Sequence, residues 1–335
     1  MRFAKALIVA LAALCAASAA RAQTAVKFVL DWVFQSNHAF FTLADDRGLF
    51  AKEGLKVKID RGFGSSDTIN KVSAGTYEFG FADVNLLVDF NAKNPDNRVI
   101  AVFISLDATP SSVIALKKSG IKVPKDLAGK RIAAPAGDNS RVLFPLFARA
   151  NGLDPESVNW ISAQPNIRDT LLLKGETDAV ASFSTTTILA LDSLGVPQSD
   201  LVVMNYADLG VDLFATGIVV SEKYAAANPD TVKAFLRGAV AGTKASLADP
   251  AGSVASIKKR DNLVKDDVEA KRFALVRDLL VLTPSVKANG LSYVDPARLA
   301  RAVQFVAGAM NVANPPKPSD VFRPDYLPPA ETRKL

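Results

Sequence analysis

The sequence predicts an α/β protein of two lobes, each a mainly parallel sheet flanked by helices, with a ligand cleft between the lobes. Three observations carry that reading. The 335 residues, 49% hydrophobic and 22% charged, suffice for about two domains of ordinary size. Short β-branched and apolar runs alternate with helical patterns at the spacing of strand, crossover helix and strand. The alternation occurs in two sets, and the first set resumes after the second, which makes the first lobe discontinuous.

The elements follow in order. Arg2 and Lys5, the apolar run 6–17 and the small-x-small site Ala20-Arg21-Ala22 read as a cleaved export signal over 1–22. That run is too short to span a membrane, and no other approaches the roughly 20 apolar residues a spanning helix needs. Cys15 follows Leu14 rather than the small residue a lipoprotein signal wants, so the sole cysteine belongs to the discarded segment. The exported chain is then thiol-free and suited to an oxidising compartment.

Residues 26–30 (VKFVL) form the first strand, and 38–50 a helix that Gly48 and Gly54 punctuate. The alternating KVKI (56–59) is the second strand; Ser66 and Asp67 cap the helix that follows; 77–82 is the third strand and 86–93 a helix. From Ser111 the pattern restarts with VIAL, the turn KDLAGK, the strand RIAA, the loop PAGDNS and a helix beginning at Arg141. A strand near 158–161, a helix ending at Gly175, the strand DAVASF and a helix over 187–194 complete the second set. TGIVV then leads into long helical stretches over 229–247 and 253–282, and a last helix over 296–310. Six prolines between 314 and 329 exclude a regular helix and predict an extended strap across the surface. The expected boundaries are 25–107 plus 215–335 for lobe one and 108–214 for lobe two, with a proline-rich tail over 314–335.

Composition excludes much. The formal charge of +6 includes Arg2, Lys5 and Arg21 of the export segment, and the remaining excess of about +3 is no nucleic-acid footprint. One His and one Cys exclude disulfides, Cys/His zinc sites and two-histidine mechanisms. No Gly-x-Ser-x-Gly elbow or Walker loop occurs, and HExxH needs a second His. RGFGSSD (61–67) has Asp67 where a dinucleotide fingerprint needs its third Gly. The expectation is a binder and not an enzyme, with no cofactor and no metal.

In open parallel sheets ligands sit at the carboxyl ends of strands. The candidates there are Asp31, Trp32, Asn37 and His38 after the first strand, a carboxylate, an indole face, an amide and an imidazole on one loop. Ser65 starts the next helix, and Asp83 closes the third strand, where it would equally serve as a helix cap. In the second lobe Ser111, Ser140, Arg141 and Thr185 supply hydroxyls and a guanidinium able to clamp an anion. Asp31, Asp83 and Trp32 favour a neutral or weakly basic nitrogen heterocycle. Arg61, Arg141 and the helix start at Ser65 and Ser66 favour a small sulfonate or carboxylate instead.

LDWVFQSNHAFF (30–41), DRGLFAKEGLKVKI (46–59), SAGTYEFGFAD (73–83), KDLAGKRIAAPAG, LLLKGETDAVASF and VVSEKYAAANPDTVKAFLRG together resemble the substrate-binding proteins of ABC importers for nitrate, sulfonate, taurine and thiamine pyrimidines. Leu30-Asp31-Trp32 with Asn37-His38 is most similar to the thiamine-pyrimidine subgroup. The resemblance implies a monomeric type II periplasmic-binding-protein fold that closes on a small molecule in the periplasm and delivers it to a membrane permease, or presents it to a membrane sensor. The same superfamily contains an enzyme that builds the thiamine pyrimidine. That enzyme's Lys and His after the third strand have no counterpart near Ala82, and its cysteine-rich stretch is also missing.

Overall fold

The computed structural model describes residues 23–335; the export signal expected over 1–22 lies outside the described residues. Ten strands form two five-stranded sheets. Sheet one contains β1 (Thr24–Val29), β2 (Leu55–Asp60), β3 (Phe79–Asp83), β4 (Val99–Ile104) and, from far along the chain, β10 (Thr216–Ser221), in the order β2-β1-β3-β10-β4. Sheet two contains β5 (Ser111–Leu116), β6 (Arg131–Ala134), β7 (Asn159–Ser162), β8 (Ala179–Phe183) and β9 (Leu201–Asn205), in the order β7-β6-β8-β5-β9.

β1 pairs in parallel with β2 and β3, placing Val26 opposite Val57 and Phe28 opposite Phe79. β6 likewise pairs in parallel with β7 and β8. One strand in each sheet is reversed: β10 runs antiparallel between β3 and β4, and β5 antiparallel between β8 and β9. Both sheets are therefore mixed yet mainly parallel, as the sequence predicts, with one reversed strand each. The cause is the shortness of the crossings. Only 105–110 separate β4 from β5, and 206–215 separate β9 from β10, and each crossing passes from one sheet to the other. A chain that reaches the cleft on β4 or β9 crosses it and must run away from it on the next strand.

β4 and β9 add to the strands read from sequence. All six residues of β4 (VIAVFI) are buried, so it lacks the polar alternation that marks a half-exposed strand. Three apolar clusters cover the four sheet faces. One, built on Phe28, Phe41, Phe79, Phe81 and Phe235, packs the helices Ala39–Asp46 and Pro229–Ala248 on sheet one. A second runs through Val29, Ala82, Val113, Ile132, Phe144 and Val306 and joins the inner faces of both sheets. A third, on Ile114, Ala133, Val180 and Leu191, backs sheet two.

The helix Pro296–Ala309 supplies a clamp for the crossings. Arg298 Nη1 donates to Asp107 Oδ1 (3.2 Å), and its Nη2 donates to the Asp107 carbonyl (2.9 Å) and to Asp212 Oδ1 (3.0 Å). One guanidinium thus holds both crossings, and the proposed lobe boundaries at 108 and 215 fall inside those two segments. The tail departs from a plain extended strap. It contains short helical turns at Pro318–Asp320, Pro324–Tyr326 and Ala330–Arg333, and it buries Val321 and Phe322 where Ala101 donates to the Val321 carbonyl and accepts from Arg323. Single turns suffice between prolines, because a proline is tolerated in a helix's first turn.

Candidate functional site

The carboxyl ends of β1, β2, β6, β7 and β8 converge on one narrow cavity of about 20 Å³ between the two sheets. Sheet one contributes Asp31, Trp32, Gln35, Asn37, Gly64 and Ser65; sheet two contributes Asp138, Asn139, Arg168, Phe183 and Thr186. The cavity has room for little more than a water molecule, so a ring-sized ligand needs the two walls to move apart.

Local backbone chemistry sets the sheet-one wall. After β1 the chain turns sharply: Gly62 and Gly64 donate their backbone N–H groups to the carbonyls of Trp32 and Asp31. A Cβ on Gly62 would stand 1.9 Å from the Leu30 carbonyl oxygen, so only glycine permits this approach. The short helical turn Ser36–His38 buries His38 completely. His38 Nδ1 accepts from the Gln35 backbone N–H (3.2 Å), which leaves Nε2 to carry the ring proton and donate to Asp31 Oδ1 at 2.9 Å. His38 therefore stands behind Asp31 and orients it. Asp31 Oδ2 has no protein partner among the described residues, and the Asn37 side-chain amide lies 3.1 Å from His38 Nε2. Asp31, Trp32 and Asn37 all line the cavity.

On the opposite wall Asp138 caps the short helix Asn139–Val142 by accepting from the Ser140 backbone N–H at 2.8 Å. Burial pushes its carboxyl up to about 6, against the opposing charge of Arg168. Arg168 is fully buried. It donates to Asp169 Oδ1 (2.9 Å) and to Thr187 Oγ1 (2.7 Å), and its guanidinium lies 5.5 Å from the Trp32 ring centroid. The cavity therefore offers carboxylate acceptors on both walls, one buried cation and an indole platform.

The sheets touch at several points around it. Ser66 donates its backbone N–H to the Gly137 carbonyl (3.2 Å), Thr186 Oγ1 donates to Gln35 Oε1 (3.1 Å), and Asn139 Nδ2 donates to Asp83 Oδ2 (3.1 Å). Asp83 is wholly buried, and desolvation raises it to about 6 despite donors from Asn85 and Asn139.

Of the residues singled out from the sequence, Asp31, Trp32, Asn37 and Ser65 line the cavity. His38 and Asp83 lie one layer back, and Ser111 Oγ accepts from Asn139 Nδ2 at 3.2 Å. Ser140 is buried with its hydroxyl unpartnered, and Thr185 presents its carbonyl to Arg272. Arg141 leaves the site: it donates to the Ala134 carbonyl and Ser162 Oγ and lies over Trp160. Arg61 stands over the exposed Phe63. Asp138, Asn139, Arg168, Gln35, Gly64, Phe183 and Thr186 are lining residues that the sequence reading did not select. The available signal was position, since Asp138 and Asn139 lie in the PAGDNS loop after β6 and Arg168 opens the helix after β7.

This architecture, two mixed sheets closing on a cavity at their strand ends, is the fold of two-lobed periplasmic binding proteins. It superposes on the alkanesulfonate-binding protein SsuA of Xanthomonas axonopodis pv. citri bound to MOPS, with TM-score 0.67 and 17% identity over 91% of this chain and 99% of that one. It also superposes on the periplasmic nitrate-binding protein NrtA of Synechocystis PCC 6803, with TM-score 0.67 and 14% identity over 91% and 87%. The family described as NMT1/THI5 like matches residues 35–253, and the chain belongs to it. A curated relative, the 4-amino-5-hydroxymethyl-2-methylpyrimidine phosphate synthase of Schizosaccharomyces pombe, is 27% identical over 234 residues, 67% of this chain and 66% of that protein. Two further relatives carrying the same enzyme name are 26% identical. These names overturn the expectation that the chain is not an enzyme. That expectation came from missing catalytic motifs in the sequence, and such an absence does not separate binders from synthases within this family.

Proposed function

We propose that the protein captures a small nitrogen heterocycle, of the aminopyrimidine class, in the cavity between its sheets and closes its two lobes on it. The carrying observation is the unpartnered acceptor Asp31 Oδ2 next to Trp32 in the cavity lining. Ring and amino N–H donors need such acceptors, and a flat ring needs such a face. The relatives' names point to the same pyrimidine. In this reading the exported chain works in the periplasm as a monomer and hands its solute to an ABC-importer permease; a membrane sensor is the other receiver the same closed form would suit. The buried Arg168 supports a second ligand class, a small sulfonate, nitrate or carboxylate.

A thermal-shift panel decides between the classes. It uses 4-amino-5-hydroxymethyl-2-methylpyrimidine, methanesulfonate, nitrate and benzoate on the wild type, Trp32→Ala and Arg168→Met. A ligand at a hundredfold excess over its dissociation constant adds about 2.7 kcal/mol of apparent stability. The heterocycle reading expects a shift from the pyrimidine that Trp32→Ala removes. Shifts from the anions alone, lost in Arg168→Met and kept in Trp32→Ala, would refute it. The relatives' names favour a further reading in which the site transforms the ring it holds. Mass spectrometry of the recovered pyrimidine separates the two: an unchanged ring supports capture, and an altered ring at many turnovers supports synthase-like chemistry.

A further inference from the structure

A second bridge joins the two sheets' units away from the cavity lining. The helix Asp266–Val276 packs against both the Ser36–His38 turn and the helix Ser184–Ser193. Its Glu269 and Arg272 are almost fully buried. Glu269 Oε2 accepts from the Ser36 backbone N–H at 2.7 Å, and the Glu269 carbonyl accepts from Ser36 Oγ at 2.8 Å. Arg272 Nε donates to both Glu269 carboxylate oxygens (3.0 and 3.2 Å), and its Nη1 donates to the Thr185 carbonyl at 2.6 Å. Ser36 lies between two cavity-lining residues, Gln35 and Asn37; Thr185 immediately precedes the lining residue Thr186.

We propose that Glu269 and Arg272 are positioning residues that set ligand affinity by latching the lobes in the closed arrangement. The inference rests on the reading of a closing two-lobed binder and is independent of the ligand class. Glu269 fixes Arg272 from the sheet-one side, and these two contacts stay within one unit when the lobes separate. The Arg272 to Thr185 bond spans the units, so separation breaks it and hands the guanidinium back to water. The Thr185 carbonyl is fixed in the first turn of the helix Ser184–Ser193, where a carbonyl has an intrahelical claim on only one lone pair. Arg272 supplies a charge-assisted donor to it, stronger than a neutral one. Since apparent affinity scales with the fraction of chain in the binding-competent state, a residue that touches no ligand still changes the dissociation constant.

Arg272→Lys is the informative variant. It keeps the charge and the Glu269 pair but loses the planar fork that reaches both partners at once. Glu269→Gln is the second, retaining an acceptor for Ser36 while weakening the hold on Arg272. The ligand-free full chain is examined first, by small-angle scattering and by hydrogen exchange at the amides of Thr186 and Thr187. Both variants are expected to enlarge the radius of gyration and to speed exchange there about tenfold, while helix content by circular dichroism stays at wild-type level. With 4-amino-5-hydroxymethyl-2-methylpyrimidine as probe, dissociation is expected to speed by a similar factor with association unchanged. Folded variants with wild-type scattering and wild-type exchange would overturn the latch. A wild type that fails to bind the probe would refute the pyrimidine reading, and the scattering and exchange results would still decide the latch.

Discussion

At the scale of single residues the site works by leaving selected atoms unpaired. His38 takes one Asp31 oxygen and leaves the other for a ligand donor. Asp31→Asn preserves an acceptor for the His38 Nε2–H but turns the outer atom into an amide donor. The expected outcome is pyrimidine affinity weakened by about tenfold to a hundredfold, for one charged hydrogen bond lost, with the melting temperature of the ligand-free chain nearly unchanged. Isothermal titration with a parallel melt checks both halves. Acidity provides a second outcome. Desolvation raises Asp138 and Asp83 to about 6, above the ordinary carboxyl value of 3.8. A folded state that holds protons more tightly than the unfolded one is most stable below about pH 4 on account of these groups. It loses that contribution as pH rises to about 6, with an upper bound of about 3 kcal/mol per carboxyl. Asp138→Asn should flatten the fall in ligand-free stability between pH 4.5 and 6.5, measured by denaturant melts at fixed salt; an unaltered slope would show that Asp138 ionises normally. Legibility at this scale was uneven. The 31–38 loop announced itself through rare residue types, a Trp and the only His. Asp138 did not, because an Asp before a helix reads equally as a cap, and Arg168 did not, because nothing in its sequence neighbourhood marks the burial that the fold imposes on it.

At the scale of elements, glycines at strand ends let the two halves meet. Gly64, at φ +124°, would place a Cβ 2.5 Å from the Gly137 carbonyl oxygen, across the contact between the sheets. Gly54, at φ +77°, has no atom within 4 Å of such a Cβ. Gly54→Ala therefore carries conformational strain alone, about 1–2 kcal/mol, whereas Gly64→Ala adds a clash with backbone. We expect Gly64→Ala to weaken ligand binding well beyond its effect on the melt, and Gly54→Ala to shift only the melt. Equal effects on binding would count against a close approach at Gly64. Helices and half-exposed strands were readable from period and punctuation. β4 was not, because a strand buried on both faces carries no alternation, and the reversal of β5 and β10 follows from crossing length, which becomes visible only once β4 and β9 are recognised as strands.

At the scale of the whole molecule, two units joined by two short crossings, clamped by Arg298 and bridged by Arg272, enclose a cavity that neither sheet builds alone. The discontinuity of the first unit could be read from the sequence because TGIVV resumes the first pattern after the second set has ended. The identity of the partner walls could not, since Asp31 and Asp138, more than a hundred residues apart, meet only through the packing of two sheets. The central claim is that a nitrogen heterocycle rests on Trp32 within this cavity. The chain has two tryptophans, and Trp160 packs edge-on against Phe144 with Arg141 above it. Trp160→Phe leaves Trp32 as the sole indole reporter. Titrating that variant with 4-amino-5-hydroxymethyl-2-methylpyrimidine should quench its emission saturably, at one ligand per chain, with methanesulfonate and nitrate having no effect. A pyrimidine that raises the melting temperature while leaving Trp32 emission unchanged, or quenching produced by the anions alone, would contradict the account.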